Sequence, residues 1–212
     1  MNPDTRSGEP RDASRDVSGD ISGGVSRDVS EEYLIRSVRA DEWPAVKEIR
    51  LASLRDPVAH LAFLDTYENA VARTDGFWQE RAAGAAEGVR ERQQIVAEEP
   101  GGRWVGSVAV LVEEAGAAGA MGDVSDVRQG HLVGVYVRPE VRGSGLTERL
   151  FAYALRWAWE VAGVERVRLF VDERNGRAEA FYRKFGFVPT GASVPVPGGV
   201  DARELEFVFE RG

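Results

Sequence analysis

Gly143 and Gly145 lie two residues apart, where an apolar run ending at Val137 and Pro139 gives way to the chain's most regular amphipathic pattern. Glycine tolerates positive φ and lets a ligand approach the backbone closely. Such a loop at the start of a helix gathers free N–H groups and the positive end of the helix dipole. The chemistry predicted is a phosphate or pyrophosphate site over residues 142–147. Two generic phosphate motifs do not fit. The dinucleotide fingerprint needs a third glycine where Glu148 stands, and the P-loop needs Gly-Lys-Ser/Thr at the helix start. A plain strand-to-helix turn also uses paired glycines, so the loop alone leaves that alternative open. His131, where the preceding strand is expected to begin, titrates near neutrality in its ordinary state and is a candidate general base. Glu113, Glu114, Asp123 and Asp126 are alternatives that could also attract a cation, although solvated loop or strand-end positions explain each of them. His60 has no supporting motif.

The elements that must position these residues follow from periodicity and punctuation. Residues 34–38 read as a strand. Asp41 is the expected N-cap of a helix running to about Leu54, with Pro44 in its first turn. Residues 55–64 read as a loop around Pro57, and 66–71 and 76–86 as short helices. Residues 93–98 and 104–113 form a hairpin across the turn Pro100-Gly101-Gly102. A loop rich in Gly and Ala occupies 115–130, and such long loops are often functional. A strand over 131–137 leads through the glycine loop into a helix over 146–162, with Leu150, Ala154, Trp157 and Val161 on one face and Gly163 as its stop. A strand over 167–171, a helix over 178–185 ended by Gly186 and a strand over 203–210 complete the order. This mixture predicts an α/β fold: a mixed sheet with helices packed on it, its 131–171 strand–helix–strand unit parallel and right-handed.

Two motifs carry a resemblance. Arg142-Gly143-Ser144-Gly145-Leu146-Thr147 matches Arg/Gln-x-x-Gly-x-Gly/Ala, with Thr147 departing from Gly/Ala while keeping an amide that can donate. Asn175-Gly176-Arg177-Ala178-Glu179-Ala180-Phe181-Tyr182-Arg183-Lys184-Phe185-Gly186-Phe187 matches Asn-x-x-Ala-x-x-Phe-Tyr-x-x-x-Gly-Phe. Together, in this order, they resemble the GCN5-related N-acetyltransferase superfamily, most closely over 131–191. The resemblance implies a mainly antiparallel central sheet flanked by helices and acetyl-CoA as acyl donor. It implies that the amides of Arg142, Gly143, Ser144, Gly145, Leu146 and Thr147 hold the pyrophosphate. It also implies that the strand edge at Val135, Tyr136 and Val137 pairs with the pantetheine arm. The Arg142 side chain has an alternative role as a cap on a nearby carbonyl. Asn175 reads both as a helix N-cap and as a pantetheine contact. Tyr182 takes the general-acid position toward the departing thiolate, with a core aromatic as the alternative.

The reaction so implied is acetyl transfer to a primary amine by direct attack on the thioester, with a small molecule as the expected acceptor. A protein N-terminus or lysine, and a non-catalytic acyl-CoA-binding regulatory module, remain alternatives. The formal charge of −8 disfavours nucleic acid and suits a cationic substrate at the level of the whole surface. The lack of Cys removes disulfides and zinc–thiolate sites, and no metal is expected. No signal peptide or membrane-spanning stretch is read, so the cytoplasm is the expected location. Residues 1–30, rich in Ser, Gly, Asp and Arg, read as a disordered tail before a domain over 31–212. Family members often dimerise through a sheet edge, and 194–200 would shape such an edge in a homodimer.

Overall fold

The computed structural model describes residues 33–196 and 201–211. The expected tail at 1–30, and part of the expected dimer edge at 194–200, lie outside the described residues.

The first strand, β1, spans Leu34–Ser37. Helix α1 spans Trp43–Leu54, and its N-cap is Glu42 rather than Asp41. The Glu42 carboxylate accepts from the Arg39 amide at 2.8 Å and from Arg36 at 2.6 Å, so an acid one residue later than expected holds the entry to the helix. A single 3₁₀ turn at Ala59–Leu61 interrupts the following loop. Helices α2, Tyr67–Ala72, and α3, Asp75–Ala83, are capped by Thr66 and Thr74, whose hydroxyls accept from the amides of Asn69 and Phe77. The hairpin is β2, Arg92–Glu98, and β3, Trp104–Glu113.

Strand β4, Gln129–Val137, starts two residues before the expected boundary. Helix α4, Leu146–Trp157, continues through a π turn at Ala158–Ala162 and stops at Gly163, which has φ 69°. Strand β5 is Arg166–Asp172 and helix α5 is Gly176–Phe185, ended by Gly186. An unexpected strand, β6, Val188–Pro195, then pairs with the last strand, β7, Arg203–Glu210. Pro189, Gly191 and Pro195 hide β6 from any alternation test, and its place at the sheet edge is where prolines are tolerated.

The seven strands run in the order β1-β2-β3-β4-β5-β7-β6. All neighbours are antiparallel except β4 and β5, the parallel pair expected across the α4 crossover. Alternation along β2 separates two cores: Ile95 and Ala97 join the layer under α4 and α5, while Val96 joins Val46, Ile49 and Trp78 from α1 and α3 on the other face. Phe151 of α4 is fully buried at the centre of the first core, against Phe181, Tyr182, Phe185 and Phe187. Truncating it to alanine would cost about 3–5 kcal/mol, typical of a buried aromatic. Among the described residues no helix is long and apolar enough to cross a membrane.

Candidate active site

The site begins where the sheet comes apart. The β4–β5 ladder holds only Gln129↔Arg166, Gly130↔Val167 and His131↔Arg168. Beyond it β4 runs on to Val137 and β5 to Asp172 without pairing to each other, leaving a β4 edge that an extended ligand can join. Just past the last pair, β4 carries an extra residue relative to β3: Ala109 faces Val133, but Ser107 faces Tyr136. Gly134 sits in this bulge at φ 65°, a conformation suited to glycine. A bulge bends its strand, and this one falls where β4 leaves β5.

Two clefts open at the seam. The glycine-loop cleft, of about 310 Å³, is lined by Val135, Tyr136 and Val137 of β4, by Arg142, Gly143, Thr147 and Glu148, and by Asn175, Arg177 and Tyr182 around α5. The arginine cleft, of about 270 Å³, is lined by Arg50, Arg81, His131, Phe170 and Glu204. Ala62, Phe63, Val135, Asn175 and Tyr182 are common to both.

The glycine loop has the form of an anion cradle. Gly143 and Gly145 both have φ of 81°, and a Cβ added to either would meet nothing within 4 Å, so the space above the backbone is open. Gly145 is the N-cap of α4 and has no side chain to occupy the helix's free amides. The Ser144 hydroxyl is turned away, donating to the Val141 carbonyl at 2.8 Å. Leu146 is a core residue by its side chain and, like Ser144 and Gly145, is not among the residues lining the cleft, which takes Arg142, Gly143 and Thr147 from this loop. The Arg142 guanidinium donates to the Val137 carbonyl at 2.9 Å and pairs with Asp56. The carbonyl-capping alternative is therefore the geometry found for that side chain. These features fit a pyrophosphate held by backbone amides rather than by the Arg142 charge.

Tyr182 stacks on Phe151 at 5.8 Å between ring centroids, and burial, with Glu204's charge added, pushes its phenol well above the ordinary tyrosine value. Its ring is a core aromatic, and the residue also lines both clefts. Asn175 accepts from the Ala178 amide at 3.2 Å as the N-cap of α5, and its Nδ2 donates to the Leu61 carbonyl at 3.3 Å. The cap thereby anchors the 3₁₀ turn over the clefts.

His131 is buried at the base of the seam. Its Nδ1 lies 3.0 Å from Glu113 Oε1, and its ring meets Phe170 edge-on at 5.4 Å. Burial alone would raise the Glu113 pKa. Hydrogen bonds from His131 and the Ala120 amide and the charge of Arg168 override burial and bring it down to about 2. Arg168, itself buried, bridges Glu113 at 2.6 Å, Glu206 at 3.1 Å and Asp123. A Cβ on Gly119 would stand 2.5 Å from the Arg168 guanidinium, so the 115–128 loop can lie on this network only because that residue is glycine. Of the alternative bases, Glu113 and Asp123 are thus held in ion pairs. Glu114 pairs with Arg128 at 3.0 Å, and Asp126 is exposed. None of the four lines either cleft, and His60 is also exposed.

Three cleft residues escaped sequence reasoning: Glu204, Arg50 and Arg81. Glu204 of β7 stands opposite Asp172 of β5. Arg174 holds Asp172 below the usual carboxylate range through hydrogen bonds, whereas burial and then the Asp172 charge raise Glu204 to about 7. Paired carboxylates driven apart in this way are a familiar acid–base arrangement. Glu204 sits in the strand repeat Arg203-Glu204-Leu205-Glu206, where alternation marks polar positions without saying which face the cleft.

Fold and site together join a glycine-loop cleft to a second cleft lined by ionisable side chains, with Tyr182 among the residues they share. A model of the acetyltransferase (GNAT) family matches residues 43–187, and the chain belongs to that family. Among curated proteins it is similar to mycothiol acetyltransferase of Salinispora tropica, 31% identical over 100 residues, or 47% of this chain and 30% of the relative. That of Salinispora arenicola is 37% identical over 67 residues, 32% of this chain and 22% of the relative. The chain thus spans less than a third of the length of these curated relatives. Among solved structures, a GNAT-family acetyltransferase from Streptococcus pneumoniae shares the fold with TM-score 0.60 and 20% identity, covering 85% of this chain and all of that one. Spermidine N-acetyltransferase from Vibrio cholerae, in complex with CoA and spermine, aligns with TM-score 0.61 and 13% identity over 85% and 96% of the two chains.

Proposed function

We propose that this protein transfers the acetyl group of acetyl-CoA to the primary amine of a small molecule. The observation that carries this reading is the convergence of two clefts, one an anion cradle, on Val135, Asn175 and Tyr182 at the open β4–β5 seam. The relatives named for mycothiol and spermidine, both small molecules, support the acceptor class. Acetyl-CoA supplies the activated acyl group. The amides of 142–147 would hold its pyrophosphate, with Arg177 as a second cation of that cleft beside the tied Arg142, and the free β4 edge would align the pantetheine arm.

The amine nitrogen must arrive uncharged, attack the thioester carbon, and lose a proton as the C–S bond breaks. Two groups in the arginine cleft can take protons. His131 is nearly inaccessible and already engaged by Glu113. The Glu204 carboxylate makes no ion pair or hydrogen bond among the described residues, and at about 7 it is half ionised near neutral pH. We therefore assign proton acceptance from the ammonium to Glu204, with the His131–Glu113 pair as an ordered support at the cleft floor. We place the amide donor for the carbonyl oxygen on the β4 backbone at Gly134–Val135, which lines the cleft. Tyr182 remains a phenol throughout and donates a hydrogen bond to the sulfur as negative charge develops there.

The test is a calorimetric titration with acetyl-CoA followed by CoA-release assays on an amine panel. Micromolar binding with amine-dependent CoA release is expected. Binding without release by any amine would point instead to an acyl-CoA-binding regulatory module, and no binding would remove the coenzyme site altogether.

A further inference from the structure

The arginine cleft holds two cations that acetyl transfer does not use. Arg50 of α1 and Arg81 of α3 line it, and both also line a recess of about 40 Å³ beneath it, beside Tyr136 and Gly134. Their counterions are poor. Arg50 has Asp65 at 3.9 Å, and Asp65 is shared with Arg73 at 3.6 Å. Arg81 has no carboxylate within 4 Å among the described residues, and its buried Nε has no hydrogen-bond partner. The Arg50 guanidinium lies 4.6 Å from the centre of the Phe63 ring, which fixes it against the cleft wall.

Burial, then the charge of Arg81, lowers Arg50 to about 10, and burial, then Arg92, lowers Arg81; a guanidinium keeps its charge in proteins at neutral pH. Half-buried like charges with open N–H groups are costly unless an anion arrives. A guanidinium fork matches a planar or tetrahedral oxyanion, and two of them facing one cleft match it better than any cation. The cleft is therefore bipolar, with Glu204 on one wall and the two arginines on another.

We infer that the acceptor is a small primary amine that also carries an oxyanion, a carboxylate or a phosphate-type group, which docks on Arg50 and Arg81 while the amine faces Val135 and Glu204. This rests on the acetyl-transfer reading of the same cleft. It reverses the cationic substrate suggested by the net charge, because the local field in a cleft depends on the charges lining it and not on the chain's total.

The experiment compares matched ligands on the full chain loaded with CoA or acetyl-CoA. The panel is an amino acid, its decarboxylated amine, the corresponding aminoalkyl phosphonate, and spermidine. Calorimetry reads binding to the CoA form and CoA release reads turnover. The oxyanion-bearing amines should bind at least about tenfold more tightly than the decarboxylated one, and the better of carboxylate and phosphonate identifies the group. Arg81→Met and Arg50→Met should each lower the kcat/KM preference for the oxyanion amine over its decarboxylated partner by roughly 10- to 100-fold, the scale of a lost charged hydrogen bond. Removing a poorly compensated buried charge should not lower the melting temperature, and Arg81→Lys should restore part of the preference.

Equal binding of all members, binding by none, preference for spermidine, or an unchanged preference in the Met variants overturns the inference. Turnover of spermidine alone would sink the oxyanion site and leave acetyl transfer standing. Arginine-dependent binding of the oxyanion amine with no turnover of any amine would do the reverse.

Discussion

On one side of Tyr182 the cleft is bordered by a glycine loop and a helix start; on the other it gathers ionisable side chains from four separate elements. The glycine loop offers amides, two positive-φ glycines and a helix N-terminus, and its best-placed cation, Arg142, is tied to Val137 and Asp56. The arginine cleft draws Arg50 from α1, Arg81 from α3, His131 from β4 and Glu204 from β7. A backbone cradle recognises what all its ligands share. A cradle of side chains on separate elements can be changed residue by residue without altering the fold. The difference assigns the common donor to the first cleft and the variable acceptor to the second.

The largest break in this comparison should come at Gly145. Gly145→Asp places a side chain at φ 81° and a carboxylate where the pyrophosphate is proposed to lie. Acetyl-CoA binding should fall below calorimetric detection while the circular dichroism spectrum is kept. Gly145→Ala should cost only the conformational strain, about 1–2 kcal/mol of stability. If Gly145→Asp binds acetyl-CoA normally, the loop is a plain turn.

Tyr182 belongs to both clefts, so its substitution should affect the chemistry and spare both binding steps. Tyr182→Phe keeps the stack on Phe151 and removes the hydroxyl. We expect kcat to fall by roughly 10²-fold, the lower end for losing one hydrogen-bond donor to developing charge, with the acetyl-CoA Kd unchanged within about twofold. An unchanged kcat would reduce Tyr182 to its packing role. A smaller effect, roughly tenfold, should follow Glu204→Gln near neutral pH, where only about half the sites are ionised in the parent. Its diagnostic is the pH–rate profile. The parent's rising limb near pH 7 should disappear in the variant, whereas His131→Gln should leave that limb in place.

The same contrast explains what was readable in the sequence. Strand β3, helix α4 and helix α5 follow from period, cap and stop residues, because those signals are local: Asn175 accepts from Ala178, and Gly163 and Gly186 take left-handed conformations at the helix ends. The glycine loop and Tyr182 were legible for the same reason, since each lies within one contiguous motif. Strand β6 was not, because Pro189, Gly191 and Pro195 erase alternation and only pairing with β7 makes it a strand. Arg50, Arg81 and Glu204 read as ordinary polar positions on their own elements. Only the packing of α1 and α3 on one side and the β5–β7 register on the other turns them into a cleft.

Glu113 and Glu204 carry the comparison down to single carboxylates, with the smallest expected effect. Glu113 has a folded pKa of about 2, below its ordinary 4.5. Its contribution to stability is present above pH 4.5 and is lost as the pH falls through 2. Glu204, at about 7, lies above the ordinary 4.5. The folded state then holds a proton that the unfolded state has released. Its contribution is present below 4.5 and is lost as the pH rises through 7. Glu204→Gln should therefore leave the melting temperature unchanged at pH 4 and raise it at pH 8. The gain should be about 1 kcal/mol, because Glu204 is only partly buried and solvent screens much of the full linkage. Glu113→Gln should do the opposite, lowering stability at pH 8 by about 1–3 kcal/mol by leaving His131 and Arg168 short of a partner. Thermal melts of both variants at pH 4 and pH 8 give the signs directly. A Glu204→Gln protein that is less stable than its parent at pH 8 would mean that this carboxylate is structural, and that proton acceptance belongs to His131.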